Sequence, residues 1–132
     1  MADPKLRLRV DFGGRCSVGI GKIELLENIE RTGSLSSAAR RMHMSYRRAW
    51  LLLAELNSSF DQPVADTATG GSGGGGSSLT PLGVQLVAGY RGLESALPPL
   101  AERFLGDVGK RVGAAAKPRL RPPPKPRRAR PG

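Results

Sequence analysis

The sequence predicts a mainly α protein with a small β component, in which residues 1–105 form one domain and residues 106–132 form a basic tail. Apolar residues recur every three or four positions through most of residues 20–97, which is the spacing of amphipathic helices. Short β-type stretches occur only near the N-terminus and on either side of a glycine-rich run. A chain of 132 residues is long enough for one domain with a modest core.

The first two predicted elements are a strand and a helix. Residues 5–12 predict a strand, because apolar side chains alternate with lysine, arginine and aspartate. Residues 20–29 predict an amphipathic helix, because isoleucine or leucine recurs every three residues. The helix is expected to end near Thr32 and Gly33.

Two short helices joined by a tight turn are predicted next. Ser34 is suited to cap a helix that ends at about Met42, because a serine oxygen accepts a hydrogen bond from a free backbone N–H. Ser45 is suited in the same way to cap a longer helix that ends near Asn57. A turn around His43 separates them. The pair has the spacing of a helix-turn-helix, in which the second helix can lie in the major groove of DNA.

The predicted third helix has one apolar face. Trp50 shares the phase of Ala49, Leu53 and Leu56, so we expect it in the core rather than stacked on bases. Tyr46 falls on the same face, and both a core position and a phosphate contact remain open for it.

The glycine-rich segment TATGGSGGGGSSLTP (residues 67–81) has three interpretations. It satisfies the G-x-G-x-x-G dinucleotide fingerprint, but a near-homopolymer satisfies almost any glycine pattern, and three residues intervene before the next helix. An inserted flexible linker is the second, although the sequence on both sides indicates one domain. We favour the tip of a two-stranded hairpin (about residues 63–79) with strands around Val64 and Leu79, where glycine tolerates positive φ and leaves N–H groups accessible to phosphates.

A long helix is predicted over about residues 80–105, with Thr80 as N-cap and Pro81 at the first position. Its apolar residues step by three or four and form one face until Pro98 and Pro99 interrupt it. A body of this size does not cover so long a stripe, so we expect the stripe to pair two copies of the chain. Its members are Leu82, Leu86, Tyr90, Leu93 and Leu97.

The net charge of +10 is concentrated in the tail. Residues 107–132 hold nine Lys or Arg against Asp107 alone, whereas residues 1–106 hold twelve against ten acids, which gives net charges of +8 and +2. The tail has almost nothing to bury, so we expect it to be disordered, with extended polyproline character around residues 122–124. This charge predicts an acidic partner but does not by itself identify nucleic acid.

The sequence offers no constellation for catalysis or metal binding. It has no paired carboxylates, no nucleophile with a base and no metal-ligand spacing. We therefore expect neither catalysis nor a cofactor. Cys16 is expected to be a small, partly buried side chain. Residues 42–44 (MHM) favour a turn over a soft-metal site, because adjacent residues rarely converge on one ion. Without a membrane-length apolar run or a signal segment, the chain is predicted to be cytoplasmic.

The predicted order of strand, helix, helix-turn-helix, two-stranded wing and long helix is that of a winged helix-turn-helix. The segments GSLSSAARRMHMSYRRAW, ELN, TATGGSGGGGSSLTPLG and YRGLE resemble the N-terminal DNA-binding domain of ModE-type molybdate-responsive transcriptional regulators, which is similar to the LysR-type winged helix. The resemblance covers about residues 5–97. It implies a bacterial, nucleoid-associated homodimer whose third helix enters the major groove of an inverted-repeat operator.

This sequence departs from the family pattern at three places. Family members carry a C-terminal molybdate-binding region where this chain passes into its tail, so we expect no molybdate sensing by that region. His43 occupies a turn position where glycine is frequent in the family, and Ser72 a wing position where lysine is frequent.

The candidate DNA contacts are residues at the helix starts and in the wing. Arg47 and Arg48, just inside the third helix, can each donate two hydrogen bonds to guanine O6 and N7, although solvated arginines on an exposed face are the plainer interpretation. Hydroxyl and backbone N–H groups are expected to contact phosphates, and simple capping explains the serines almost as well. These further candidates are Ser34, Ser36, Ser37, Ser45, Tyr46, Thr69, Gly71, Ser72 and Gly73.

Three functions remain open from the sequence. The first is a sequence-specific regulator of transcription that binds double-stranded DNA as a homodimer, and the second is an architectural DNA-binding protein whose affinity comes from the tail. The third is an adaptor whose apolar helix recruits another protein. The glycine loop, with Thr69 and Ser72, also leaves open the binding of a tetrahedral oxyanion by backbone N–H groups.

Overall fold

A computed structural model describes residues 4–67, 76–113 and 122–126, and its elements are those of a winged helix-turn-helix. The chain is mainly α with two small antiparallel hairpins, which confirms the predicted fold class. In chain order the elements are β1 (Arg9–Phe12), β2 (Cys16–Gly19), α1 (Ile20–Thr32), α2 (Leu35–Arg41), α3 (Tyr46–Ser59), β3 (Ala65–Thr67), β4 (Ser77–Leu79) and α4 (Pro81–Gly109).

The N-terminal strand is shorter than predicted and has a partner that the sequence analysis missed. Residues 5–8 lie outside β1, because β2 is only four residues long and pairs with Arg9–Phe12 alone. The antiparallel register places Val10 opposite Val18. Val18 and the free thiol of Cys16 are buried, so Cys16 is a small core side chain that is more fully buried than expected.

Helix α1 lies at the centre of the core and packs against α2, α4 and β4. Its predicted apolar stripe is buried from Ile23 onward, together with Leu25, whereas Ile20 at the helix start is 39% exposed. On α2, Ala38 and Ala39 are buried, and their small side chains let α2 pack on both α1 and α3. The four fully buried side chains of α1 are Ile23, Leu25, Leu26 and Ile29.

The prediction that Trp50 lies in the core is wrong. Its side chain is 52% exposed, and Tyr46, for which a core position was left open, is 55% exposed. The buried face of α3 consists of Ala49, Leu53 and Leu56. Trp50 follows Ala49 by one residue, which is about 100° around the helix, so it lies on the flank of this face.

The predicted N-caps and the predicted end of α1 are confirmed, whereas α3 and α4 each end later than predicted. Gly33 ends α1 in the left-handed region (φ 76°), and its N–H donates to the carbonyl of Ile29. The hydroxyl of Ser34 caps α2 and that of Ser45 caps α3. Thr80 caps α4 by accepting a hydrogen bond from the N–H of Gly83 at 3.1 Å, and Pro81 is the first helical residue.

The long helix runs through Pro98 and Pro99, as the predicted span of about residues 80–105 requires, and continues to Gly109. Pro98 and Pro99 deprive the carbonyls of Glu94 and Ser95 of their helical N–H partners, and of these two residues Ser95 is exposed and Glu94 half-buried. The helix thereby extends past residue 105, where the domain was predicted to end. No helix in the described part of the chain is long and apolar enough to cross a membrane.

Candidate nucleic-acid interface

The turn between α2 and α3 is built from backbone hydrogen bonds around a left-handed residue. His43 has φ 55°, and its N–H donates to the carbonyl of Arg40, while that of Met44 donates to the carbonyl of Ala39. Met42 and Met44 pack half-buried against the core, whereas His43 is exposed. These positions agree with the predicted turn, and the described residues contain no cluster of three or more His, Cys, Asp or Glu side chains suited to a metal ion.

The start of α3 presents two arginines to solvent. Ser45 Oγ accepts a hydrogen bond from the Arg48 N–H at 3.1 Å, which fixes the first turn of the helix. Arg47 and Arg48 are both exposed, and neither takes part in an ion pair between described residues. Their guanidinium groups are therefore available to an external acceptor, and they lie at the end of the helix where the macrodipole also favours an anion.

The three candidate serines of α2 have different positions. Ser34 Oγ accepts a hydrogen bond from the Ser37 N–H at 3.0 Å, so capping accounts for it. Ser37 Oγ accepts a long hydrogen bond of 3.5 Å from Arg40 Nη2, while Ser36 is exposed. Of the three, the exposed Ser36 hydroxyl is the most accessible to a phosphate.

The base of the wing is tied to the start of α2. The Ser77 N–H donates to the Gly33 carbonyl at 2.7 Å, and Ser77 is buried. In the antiparallel register Thr67 pairs with Ser77. This bond, which no pattern in the sequence predicts, holds the base of the wing beside the Ser34 cap. The candidate wing residues Thr69, Gly71, Ser72 and Gly73 lie outside the described residues.

The strand that leads into the wing is held to α3 by one side chain. Asn57 Oδ1 accepts from the N–H of Val64 at 2.8 Å and of Ala65 at 3.3 Å, and Asn57 Nδ2 donates to the Ala65 carbonyl at 3.2 Å. The amide side chain of Asn57 thus satisfies backbone hydrogen-bonding groups at the start of β3, as a neighbouring strand would. The two described strands of the hairpin are thus anchored at different places, β3 to α3 and β4 to the junction of α1 and α2.

Sequence reasoning missed several exposed residues near these helix starts. Arg40 and Arg41 end α2, and the Arg41 Nε donates to Asn28 Oδ1 at 3.0 Å. Trp50 and Leu51 are each about half exposed on α3. The adjacent arginines are visible in the sequence, whereas the exposure of Trp50 depends on the direction from which α1 and α2 cover α3.

The apolar stripe predicted to pair two copies is buried in this protomer's own core at its N-terminal end and reaches solvent toward its C-terminal end. Leu82 and Leu86 pack against the core, and Tyr90 is buried with its hydroxyl donating to the Leu8 carbonyl at 2.7 Å. Burial raises the pKa of the Tyr90 phenol. Leu93 is 42% exposed, and Leu97 is half-buried. Further along α4 the exposed apolar residues are Leu100, Phe104, Leu105 and Val108.

Comparison with known proteins finds one matching family model and several relatives of this chain. Residues 20–84 match the family model for bacterial regulatory helix-turn-helix proteins of the lysR family. The chain is 40% identical over 87 residues to the molybdenum-pterin-binding protein MopB of Rhodobacter capsulatus, covering 66% of this chain and 32% of that protein. It is 39% identical over 102 residues to the molybdenum transport protein ModE of Azotobacter vinelandii, covering 74% of this chain and 38% of that protein.

A third relative is the DNA-binding transcriptional dual regulator ModE of Escherichia coli (strain K12), 39% identical over 69 residues that make up 52% of this chain and 26% of that protein. The chain thus spans well under half the length of these relatives. The residues matched by the family model include the turn, α3 and the wing strands. Residues 20–84 therefore belong to the lysR-type family of bacterial regulatory helix-turn-helix domains, in the form found at the N-terminus of ModE proteins.

Proposed function

We propose that this protein regulates transcription in the bacterial cytoplasm by binding an inverted-repeat operator in the nucleoid as a homodimer. The observation that carries the proposal is the start of α3, where Arg47 and Arg48 are exposed beside the Ser45 cap. An α-helix fits the major groove, and a guanidinium can hold O6 and N7 of one guanine with two hydrogen bonds. We assign base contacts to these arginines and no catalytic role to any residue.

Phosphate contacts are assigned to the groups that surround α3. Ser36 and the α2 N-terminus lie on one side, and the wing lies next to the α2 cap through the Ser77–Gly33 bond. Thr69, Gly71, Ser72 and Gly73 stay candidates for contacts by the wing. Such contacts orient the protein on DNA without selecting a sequence.

The second copy is proposed to dock on α4, further toward its C-terminal end than the sequence indicated. Leu93, Leu97, Leu100, Phe104 and Val108 follow one another by three or four residues and so share one face. Phe104 is 72% exposed, a large apolar surface to leave in water. Two copies paired by this face would present two third helices to one side of a duplex, about 34 Å apart or a multiple of it.

This face continues into an apolar groove between α4 and the N-terminal hairpin. Phe12 and Phe60 meet edge to face with their ring centroids 6.1 Å apart, and they line the groove with Leu86 and Leu93. We propose that side chains of the second copy enter this groove. The interface then has an apolar centre, as homodimer interfaces generally do.

The test is a selection of random duplexes by the purified protein near physiological salt, with a form ending at residue 113 run alongside. Enrichment of an inverted repeat by both forms supports the proposal, and sedimentation of the complex should give two chains per repeat. Salt-sensitive binding without enrichment would instead favour an architectural protein that relies on its tail.

The names of the relatives point to molybdenum, and we infer that the regulated genes serve molybdenum uptake or use. The selected repeat, located in the source genome, tests this inference directly. Titration with molybdate or tungstate, followed by thermal unfolding, tests whether the chain itself binds a tetrahedral oxyanion. A concentration-dependent rise in Tm would indicate binding.

A further inference from the structure

Trp50 is exposed on the same helix as the proposed base contacts. The buried face of α3 is complete without it, since Ala49, Leu53 and Leu56 are at most 4% exposed. Trp50 instead lies on the flank of that face, one turn beyond Tyr46, and about half of its surface is in water. The indole therefore does not account for the packing of α3 on the rest of the domain.

The surroundings of Trp50 make it part of a mixed apolar and basic surface. Arg47 lies three residues before Trp50 and four before Leu51, so its side chain projects between theirs. All three are exposed. Trp50 lies about 6 Å along the helix axis from Tyr46, the first residue of α3, which is within the depth that a recognition helix reaches in the major groove.

The wing side of α3 is also the side on which Trp50 lies. Residues seven apart share a helix face, and Asn57, seven residues after Trp50, holds β3 through Val64 and Ala65. Along α3, Trp50 thus lies between the exposed Arg47 and the Asn57 that holds β3. A duplex that meets both the start of α3 and the wing would cover it.

The chemistry of the major groove supplies a partner for such a side chain. Only thymine presents an apolar group there, its C5 methyl, whereas guanine, adenine and cytosine present hydrogen-bonding atoms. With Arg47 bound to a guanine, the neighbouring Trp50 indole is suited to pack against the methyl group of an adjacent thymine. A partner protein is less suited to this surface, because it would have to bury Arg47 and Arg48 as well.

We propose that Trp50 is a specificity-determining residue whose indole packs on the C5 methyl group of a thymine in each half-site. The inference rests on the proposed function, in which α3 is the recognition helix, and adds a thymine to the guanine contacts assigned above. It predicts that the preferred repeat contains a thymine whose methyl group is recognised by this one side chain.

The experiment uses the full chain and the duplex that it selects. Each thymine is replaced in turn by deoxyuridine, which removes only the C5 methyl group. At one position per half-site we expect the affinity of the wild-type protein to fall about fourfold, the value for one buried methyl group. Trp50→Ala should bind the thymine duplex more weakly and bind the thymine and deoxyuridine duplexes equally.

Controls separate the indole contact from changes in folding. Val84→Ala, at another half-exposed apolar residue but on α4, should keep the fourfold preference for thymine. Trp50→Ala should keep the circular dichroism spectrum of the wild type, since the buried face of α3 is untouched. As Trp50 is the only tryptophan of the chain, its fluorescence should change when the selected duplex is added and stay constant with a non-preferred duplex.

Two results would overturn the inference while leaving the proposed function intact. One is a preferred repeat in which no thymine methyl group affects binding by the wild type. The other is an equal preference for thymine in the wild type and in Trp50→Ala. If the protein selects no duplex at all, the proposed function fails and this inference fails with it.

Discussion

Arg91 on α4 and Glu27 on α1 are joined by two hydrogen bonds, from Arg91 Nε to Glu27 Oε2 at 3.0 Å and from Arg91 Nη2 to Glu27 Oε1 at 2.6 Å. Arg91 Nη1 also donates to Glu94 Oε1 at 2.7 Å. The pair connects the helix proposed to bind the second copy to the central helix of the domain. The Arg91 guanidinium lowers the pKa of the Glu27 carboxyl below its ordinary value.

Glu27→Gln is expected to lower the free energy of unfolding by about 1 kcal/mol at pH 7, because both side chains are about one-third exposed and solvent weakens the pair. A carboxyl with a lowered pKa in the folded state stabilises the fold above its unfolded pKa and loses this effect as pH falls. The difference between wild type and variant should therefore shrink below about pH 4.

Urea unfolding of both proteins between pH 3.5 and pH 7 measures this difference. Glu30→Gln is the control, because Glu30 is exposed on the same helix and forms no ion pair between described residues. A wild-type advantage over Glu27→Gln that is as large at pH 3.5 as at pH 7 would contradict the assignment.

Gly83→Ala should destabilise the domain by about 1–3 kcal/mol. A Cβ atom at this position would overlap the carbonyl oxygen of Val64, so α4 and the strand before the wing would have to separate. Gly92→Ala is the matched control on the same helix, where a Cβ meets no atom within 4 Å. It should stabilise the helix by about 0.5–1 kcal/mol. Thermal or urea unfolding that ranks the two variants in the opposite order would rule out this close approach.

Asn57→Ala is expected to lower the free energy of unfolding by about 2 kcal/mol, because backbone groups of the buried residues Val64 and Ala65 lose a hydrogen-bond partner. Hydrogen exchange should show faster exchange of the Val64 amide. Ser58→Ala, which removes one exposed hydrogen bond to the Glu55 carbonyl, should change stability by less than about 0.5 kcal/mol. Equal costs for the two substitutions would contradict the role given to Asn57.

His43→Gly should raise the free energy of unfolding by about 0.5–1 kcal/mol, since glycine adopts the left-handed conformation of this turn without the cost that a side chain adds. His43→Ala should be less stable than the glycine variant. Chemical unfolding of the three proteins gives the comparison, and an alanine variant more stable than the glycine variant would show that the turn differs from the one described.

Local sequence signals predicted the helices of this fold well. Gly33, Ser34, Ser45 and Thr80 determine where helices begin or end through contacts within a few residues, so their roles are visible in the chain. Strand β2 has no such signal, because four residues with one glycine give no clear period. Its existence depends on pairing with β1.

Tertiary packing explains the other differences. Trp50 lies three residues before the buried Leu53 but on the flank of the buried face of α3, where its exposure depends on the positions of α1 and α2. The course of α4 through Pro98 and Pro99 opposes the local preference of proline. The Ser77–Gly33 and Asn57–Val64 contacts that orient the wing join distant segments, and no spacing within either segment predicts them.

The measurement that tests the central claim most directly is the affinity of Arg47→Ala for the selected repeat and for a scrambled duplex of the same composition. We expect a loss of about 1–3 kcal/mol on the repeat and little change on the scrambled duplex, because a base contact is lost only at the correct sequence. Arg15→Ala, which removes the same charge from the exposed turn between β1 and β2, should bind both duplexes nearly as the wild type does. An equal loss on both duplexes with Arg47→Ala would contradict base recognition by α3.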